Sequence, residues 1–525
     1  MPKVLISDDL SPRAAEIFRE RGIEVDVRIG LDKDELKSII GDYDGLAVRS
    51  ATKVTKPILE AASHLKVVGR AGIGVDNIDV AAATQRGVVV MNTPFGNSIT
   101  TAEHAIALLF ALARDIPAAD RSTQAGKWEK SRFLGVELTG KTLGVIGCGN
   151  IGSIVAARAV GLKMKVAAYD PFLSEDRAVE LGVDKVELDE LLRRADFITL
   201  HTPLTDATRN IIDASALAKT KQGVRIINCA RGGLIVEDDL IAALESGHVA
   251  GAAIDVFPTE PARESPLFGR DNVVCTPHLG ASTAEAQENV ALQVAEQMAD
   301  FLLTGAVVNA LNMPSLTAEE AARLKPYMTL AEQLGSFAGQ MIEHGLAQIT
   351  IEYEGHVASL NTKPLTAIVL TGVLRGMTET VNMVNAPVLA RARDIRVTES
   401  KLAGECDYQT LIRVRVEGAG EGTTIAGTLF GGTRPRVVEI EGIEMEAELG
   451  PDMLLVRNRD KPGFIGNLGR TFGDAGINIA TFHLGRIGPG EEAVALVEID
   501  RQISAELIDR VHHIPNVIRA KALKF

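Results

Sequence analysis

Three reactive side chains each follow a short apolar run. They are Arg231 in Asn228-Cys229-Ala230-Arg231-Gly232-Gly233, Glu260 in Asp255-Val256-Phe257-Pro258-Thr259-Glu260-Pro261, and His278 in Thr276-Pro277-His278-Leu279-Gly280-Ala281. A guanidinium fork binds a carboxylate through two parallel hydrogen bonds and polarises a carbonyl oxygen beside it. An imidazole takes a hydroxyl proton as hydride leaves the same carbon, or returns it in the reverse direction. A carboxylate next to that imidazole orients it and stabilises its charged form. Arg231, Glu260 and His278 are therefore the catalytic candidates for hydride transfer at an alcohol next to a carboxylate. The chemistry needs a nicotinamide as hydride acceptor and no metal. His201, in His201-Thr202-Pro203, competes for the base role, but its place after a middle strand suits cofactor contact better.

The nicotinamide carrier has its own signature. Gly147-Cys148-Gly149-Asn150-Ile151-Gly152 follows the apolar run Thr142-Leu143-Gly144-Val145-Ile146, opens a helical stretch, and is followed about 20 residues on by Asp170. Strand, glycine turn, helix, strand and acid together form the dinucleotide-binding fingerprint. Gly147 permits the tight turn, Gly149 lets the backbone approach the pyrophosphate, and Gly152 lets the helix lie close to the strand. The helix start offers unpaired N–H groups to the phosphates. Asp170 accepts hydrogen bonds from ribose hydroxyls and repels a 2′-phosphate, which selects NAD over NADP.

The elements that must position these residues alternate between apolar runs and helical segments. Before residue 95 the runs are 4–6, 25–29, 45–49, 65–68 and 88–91, with helical pieces at 12–21 and 33–40. After the fingerprint, runs at 197–201, 224–228, 250–256 and 272–276 continue the rhythm of parallel strands with crossover helices. Arg231, Glu260 and His278 then fall just past strand ends, where open α/β sheets bind ligands. Long helices near 100–113 and 284–303 are expected to pass between two doubly wound Rossmann-like domains. One comprises residues 1–97 and 284–306 and is discontinuous; the other comprises 98–283. Residues 308–314 read as a linker, 315–447 as a mixed α+β domain, and 453–525 as a βαββαβ module with strands near 454–456, 477–482, 493–499 and 517–522.

Chain-wide properties narrow the function classes. At 525 residues the chain needs several cores. A formal net charge of −14 argues against a nucleic-acid partner and requires an anionic substrate to find local cations. No apolar run reaches a membrane span, and no secretory leader pattern opens the sequence. Cys148, Cys229, Cys275 and Cys406 are scattered, as expected for reduced thiols in a cytoplasmic protein without a metal site.

These motifs resemble the D-isomer-specific 2-hydroxyacid dehydrogenase family. The resemblance covers residues 1–305 and includes Val48-Arg49-Ser50-Ala51-Thr52, Val68-Gly69-Arg70-Ala71-Gly72-Ile73-Gly74-Val75-Asp76-Asn77-Ile78-Asp79, Met91-Asn92-Thr93-Pro94, Gly126-Lys127-Trp128-Glu129 and His278-Leu279-Gly280-Ala281-Ser282-Thr283. It implies oxidation of 3-phospho-D-glycerate to 3-phosphonooxypyruvate with NAD, the first step of phosphorylated L-serine synthesis. Reduction of 2-oxoglutarate is an implied side activity. Arg231, Glu260 and His278 fall on the family's catalytic positions. The implied cofactor contacts are Ile73, Asn150, Ile151, Asp170, Thr202, Cys229, Ala230, Arg231, Asp255, His278, Leu279, Gly280 and Ala281. Ile73 stands where some relatives place a threonine, so its contact would be through backbone or packing. Arg49, Ser50, Arg70, Gly72, Asn97 and Arg132 are the substrate candidates, with Arg132 reaching across a subunit interface.

The long tail resembles an intervening domain followed by an ACT domain. It implies feedback by L-serine at Asn458, Asp460 and Asn478, in a homotetramer. Two alternatives stay open: another D-2-hydroxyacid dehydrogenase such as a glyoxylate/hydroxypyruvate reductase, and an NAD-sensing corepressor-like scaffold.

Overall fold

Apolar runs too short for a helix become strands, and strands apolar on both faces call for a parallel sheet covered on both sides. In the computed structural model, β1 (Lys3–Ile6), β2 (Glu24–Val27), β3 (Gly45–Val48), β4 (Val67–Arg70) and β5 (Val89–Met91) form a parallel sheet in the order β2-β1-β3-β4-β5. A second parallel sheet contains β6 (Thr142–Ile146), β7 (Lys165–Tyr169), β8 (Asp184–Lys185), β9 (Phe197–Leu200), β10 (Val224–Asn228), β11 (Val249–Ile254) and β12 (Val273–Cys275). Its order is β12-β11-β10-β9-β6-β7-β8. The doubly wound α/β class is thus present twice. The strand order reverses at β1/β3 in the first sheet and at β6/β9 in the second, and a crevice opens beyond the carboxyl ends at such points. The structure describes all residues except 343–344, 379, 403–406 and 419–421. Cys406 lies outside the described residues; Cys148, Cys229 and Cys275 are free thiols.

Two long helices join the sheets. Ser98–Ala113 buries Ala102, Ala105, Leu108, Leu109 and Leu112 against Leu143, Val145, Val155 and Ala156 of the second unit. Ala284–Thr304 begins at Thr283, whose hydroxyl caps the Ala286 N–H. It carries Val290, Val294 and Met298 back into the core of Val4, Ile6, Phe18 and Val67. The stretch expected to be a linker is docked as well. Ala310 bridges Met91, and the Asn312 side chain accepts from Val90 N at 2.9 Å and donates to Val88 O at 2.8 Å. An asparagine amide completes the open edge of β5 there, which composition alone does not announce.

The remaining chain forms two more sheets. β13 (Gln348–Gly355), β14 (Arg396–Leu402), β15 (Thr410–Glu417), β16 (Gly422–Phe430), β17 (Arg434–Ile440) and β18 (Ile443–Ala447) run in the order β14-β13-β15-β16-β17-β18. The side-chain amides of Asn382 and Asn385 in this unit donate to the carbonyls of Gly87 and Gln85 beside the first sheet. β19 (Asp452–Arg459), β20 (Ile479–Arg486), β21 (Glu492–Ile499) and β22 (Val517–Lys524) are antiparallel in the order β20-β21-β19-β22. With helices Phe464–Asp474 and Ala505–His512 they make the βαββαβ shape. One face packs Leu454, Val456 and Val497 on those helices, and the other packs Met453, Leu455 and Leu496 into the core of the preceding unit. Among the described residues, no helix is long and apolar enough to cross a membrane.

Candidate active site

The second sheet's strands deliver the fingerprint and the reactive residues at one edge. Gly147, at the end of β6, has φ +89°, and a Cβ there would lie 2.7 Å from the His201 carbonyl oxygen. A Cβ on Gly152 would meet the Gly147 carbonyl at 2.0 Å, so the helix Asn150–Gly161 rests directly on the turn. Gly149 has open space beside it, which leaves its backbone reachable by a pyrophosphate. Asp170, after β7, accepts the Cys148 and Phe172 N–H groups, one on each carboxylate oxygen at 2.8 Å. Each oxygen keeps a lone pair for a ribose hydroxyl. This cradle fits NAD. Burial, aided by the Asp170 charge, raises the Cys148 thiol pKa to about 11, so the Cys148 side chain brings no anion to the phosphate site.

His278, Glu260 and Arg231 lie on the loops after β12, β11 and β10. His278 Nδ1 is 2.6 Å from Glu260 Oε2, and Glu260 Oε1 accepts the Phe257 N–H at 2.9 Å. Burial pushes the Glu260 pKa up, but the hydrogen bonds from His278 and Phe257 outweigh it and hold the carboxyl below its ordinary value. An ionised Glu260 only accepts, so the proton sits on Nδ1 and Nε2 faces outward as a base. His278 holds φ +55°, a conformation that costs a non-glycine residue on the order of 1 kcal/mol. Asp255, completely buried, maintains it. Its carboxylate accepts from Thr276 Oγ1 at 2.5 Å, Leu279 N at 2.7 Å and Gly280 N at 2.9 Å, and its backbone oxygen accepts from His278 N at 2.9 Å.

His104, on the helix Ser98–Ala113, adds its Nε2 3.3 Å from Asp255 Oδ1 and Thr276 Oγ1. His104, Cys229 and Asp255 bring ligand-type atoms within 4.8 Å of one another. Asp255 is nonetheless filled by hydrogen bonds, and burial keeps the Cys229 thiol protonated. Asp255, expected at the cofactor, thus has its side chain turned into the loop that carries His278. His201 is different from His278. Its Nε2 meets Thr199 Oγ1 at 2.9 Å, its Nδ1 is buried without a protein partner, and burial lowers its pKa to about 4. A histidine held neutral so far below neutrality is a poor base, which removes it as a rival for proton transfer.

The first sheet faces these loops with cations. Arg49 follows β3 and Arg70 ends β4. Arg70 Nε donates to the Arg49 carbonyl at 3.3 Å, and its guanidinium lies over Gly72. Burial, then the charges of Arg231 and Arg49, lower the Arg70 pKa to about 10 against the opposing pull of Asp76 and Asp8, so it stays charged at neutral pH. The buried Asp8 holds the Arg49 loop by accepting Arg49 N–H at 2.6 Å and the Thr52 hydroxyl at 2.6 Å. Asn77 donates to the Arg49 and Thr52 carbonyls. Ser50 is exposed beside Arg49. Asn97 Oδ1 and Thr93 Oγ1 are buried near the end of β5 with no partner, as groups awaiting a ligand would be. Ile73 lends its carbonyl to the Asn92 amide at 2.6 Å.

Arg132 lies at the amino-terminal edge of the second sheet, where Asp271, ahead of β12, takes its Nη2 at 2.5 Å and Glu129 its Nη1 at 3.0 Å. Within one chain it does not reach the cleft; the contact expected of it is one made to a second copy of the chain.

Comparison with known proteins matches the geometry. Residues 106–280 fit the family model of the D-isomer-specific 2-hydroxyacid dehydrogenase NAD-binding domain, 323–441 that of the D-3-phosphoglycerate dehydrogenase intervening domain, and 453–516 that of the ACT domain. The D-3-phosphoglycerate dehydrogenase of Synechocystis sp. is 43% identical over 100% of this chain and 95% of that protein. That of Bacillus subtilis is 42% identical over 100% and 99%. The chain belongs to the D-3-phosphoglycerate dehydrogenase family. A solved D-lactate dehydrogenase from Aquifex aeolicus, complexed with NAD and lactic acid, shares 27% identity and a TM-score of 0.53 over 60% of this chain and 100% of that one. The enzyme is a dehydrogenase, and its cofactor is NAD.

In the ACT domain of this dehydrogenase, the expected effector residues are tied to protein partners. Asp460 accepts from Arg486 Nη1 at 2.8 Å. Asn478 donates to Asp500 at 3.0 Å. Asn458 is buried; its Nδ2 donates to the Arg459 carbonyl, and its Oδ1 is unpartnered. The sequence reading assigns no role to Asp8 or His104, and Asp76, Asn77 and Thr93 enter it only within the family-like strings.

Proposed function

We propose that the enzyme oxidises 3-phospho-D-glycerate to 3-phosphonooxypyruvate through Arg231, Glu260 and His278. Three arginines carry this proposal: Arg231 at the reacting end, and Arg49 with Arg70 across the cleft, in a chain whose net charge is −14. A substrate with a carboxylate at one end and a phosphate at the other spans them. Arg231 holds the carboxylate and polarises the oxygen at C2. His278 Nε2 takes the C2 hydroxyl proton, and Glu260 stabilises the imidazolium through Nδ1–H. NAD, when bound, supplies the hydride acceptor. Gly72, Ser50 and Asn97 complete the substrate contacts; Thr202, Cys229, Ala230, Ile151 and the 278–281 backbone contact the cofactor. Because a dicarboxylate presents the same pair of anions, 2-oxoglutarate is a side substrate of the reverse reaction.

The assembly is a cytoplasmic homotetramer, regulated by L-serine at the ACT domain. The test is a steady-state panel of 3-phospho-D-glycerate, D-lactate and glyoxylate with NAD or NADP, with and without L-serine. Highest kcat/KM for the phosphorylated acid with NAD, inhibited by serine, is expected. Preference for an unphosphorylated acid would make the protein a sister reductase.

A further inference from the structure

Arg231 is gripped from across the cleft. Its Nε donates to Asp76 Oδ2 at 3.0 Å, and its Nη1 donates to its own neighbour, the Ala230 carbonyl, at 2.7 Å. A Cβ on Gly74 would lie 1.7 Å from Nη2 and 2.8 Å from both Cζ and Asp76 Oδ2, so the guanidinium rests on the bare Gly74 backbone beside that carboxylate. Asp76 and Gly74 belong to the loop after β4, whereas Arg231 follows β10 on the other sheet. Asn77, next in the chain, anchors that loop to the Arg49 and Thr52 carbonyls. The contact therefore fixes Arg231 to a rigid part of the opposite unit, with Nε and one Nη1 hydrogen used and Nη2 left for a ligand.

We propose that Asp76 is a positioning residue: by holding Arg231 Nε against the Gly74 backbone it orients the reactive guanidinium only when the two sheets close on each other. This rests on the assignment of Arg231 to the substrate carboxylate. Two opposing effects are built into the device. The hydrogen bond fixes the geometry of the group that polarises the reacting oxygen, where a misplacement of 1 Å costs on the order of 100-fold in rate. Asp76 is also 69% exposed at its side chain and carries a negative charge into a cleft meant for an anion. Loss of the carboxylate thus lowers turnover without weakening substrate binding, a signature that a residue serving only stability does not give.

The experiment compares the wild type with Asp76→Ala, Asp76→Asn and Arg231→Ala, measuring kcat, KM for 3-phospho-D-glycerate, NADH affinity by fluorescence, and Tm. For Asp76→Ala we expect kcat to fall about tenfold, as for loss of one charge-assisted bond, with KM unchanged or lower and NADH affinity and Tm unaltered. Asp76→Asn keeps an acceptor oxygen and recovers most of kcat. Normal kcat in Asp76→Ala, a rise in KM alone, or loss of Tm that accounts for the lost activity would overturn the proposal. Arg231→Ala separates the two levels. If it is crippled while Asp76→Ala is normal, only the Asp76 role fails; if it turns over normally, the Arg231 assignment itself fails.

Discussion

The catalytic cleft and the ACT domain divide the same kinds of side chain differently between scaffold and ligand. In the cleft, His278 Nε2, Asn97 Oδ1 and Thr93 Oγ1 are left without protein partners, while Glu260 and Asp255 spend their bonds on His278 and the loop that carries it. In the ACT domain, Asp460 and Asn478 are spent on Arg486 and Asp500, and of the three expected effector residues Asn458 keeps a buried oxygen without a partner. Unsatisfied polar groups that neighbouring bonds hold in place indicate a site waiting for a ligand. Satisfied ones indicate either scaffold or a site that must first exchange partners, which lowers affinity and suits a regulator better than a catalyst.

The sharpest way to break the contrast is His278→Ala. Removal of a positioned base should cost roughly 10²- to 10⁴-fold in kcat with NADH binding intact, measured by stopped-flow and fluorescence titration. Near-normal turnover would return the base role to another group.

A second prediction concerns His201, the histidine that burial removes from proton transfer. The folded pKa of His201 lies near 4, below its unfolded value of 6.5, so the unfolded chain binds more protons between those limits. Stability from this group is complete above pH 6.5 and is lost as pH falls toward 4, by up to about 3 kcal/mol. His201→Gln should therefore shrink the drop in Tm between pH 7.5 and pH 5. An unchanged drop would mean that His201 is hydrated and free to titrate.

The smallest effect belongs to the ACT domain. Arg486→Ala releases Asp460 from a half-exposed ion pair worth less than about 1 kcal/mol, so half-inhibition by L-serine should move down by about threefold, while Asp460→Ala moves it up. Unchanged inhibition in both variants would place the effector elsewhere.

Much of the cleft was legible because its parts are local in sequence and topology orders them. The glycine turn, its strand, its helix and Asp170 lie within one βαβ unit. Arg231, Glu260 and His278 follow successive strands of a sheet whose carboxyl edge is shared. What escaped depends on distant pairing. Asp76 meets Arg231 from 155 residues away, Asp8 meets Thr52 across 44, and His104 meets Thr276 across 172. Nothing in the local pattern near 308–314 shows that Asn312 will edge β5. Arg132 is the complementary case: its charge is visible in the sequence, but the end of the sheet it occupies is not. In the ACT domain the βαββαβ rhythm follows from alternation, whereas the Asp460–Arg486 pairing joins the turn after β19 to the end of β20 and cannot be told from a ligand site by residue type.

The central claim is that Arg49 and Arg70 make the cleft selective for a doubly anionic acid. The most direct measurement is the ratio of kcat/KM for 3-phospho-D-glycerate to that for D-glycerate, in the wild type and in Arg70→Ala. A buried charge-assisted contact of roughly 2–3 kcal/mol predicts a ratio of about 100 or more that collapses by at least tenfold in the variant. A ratio near one in the wild type, or an unchanged ratio in Arg70→Ala, would contradict the account.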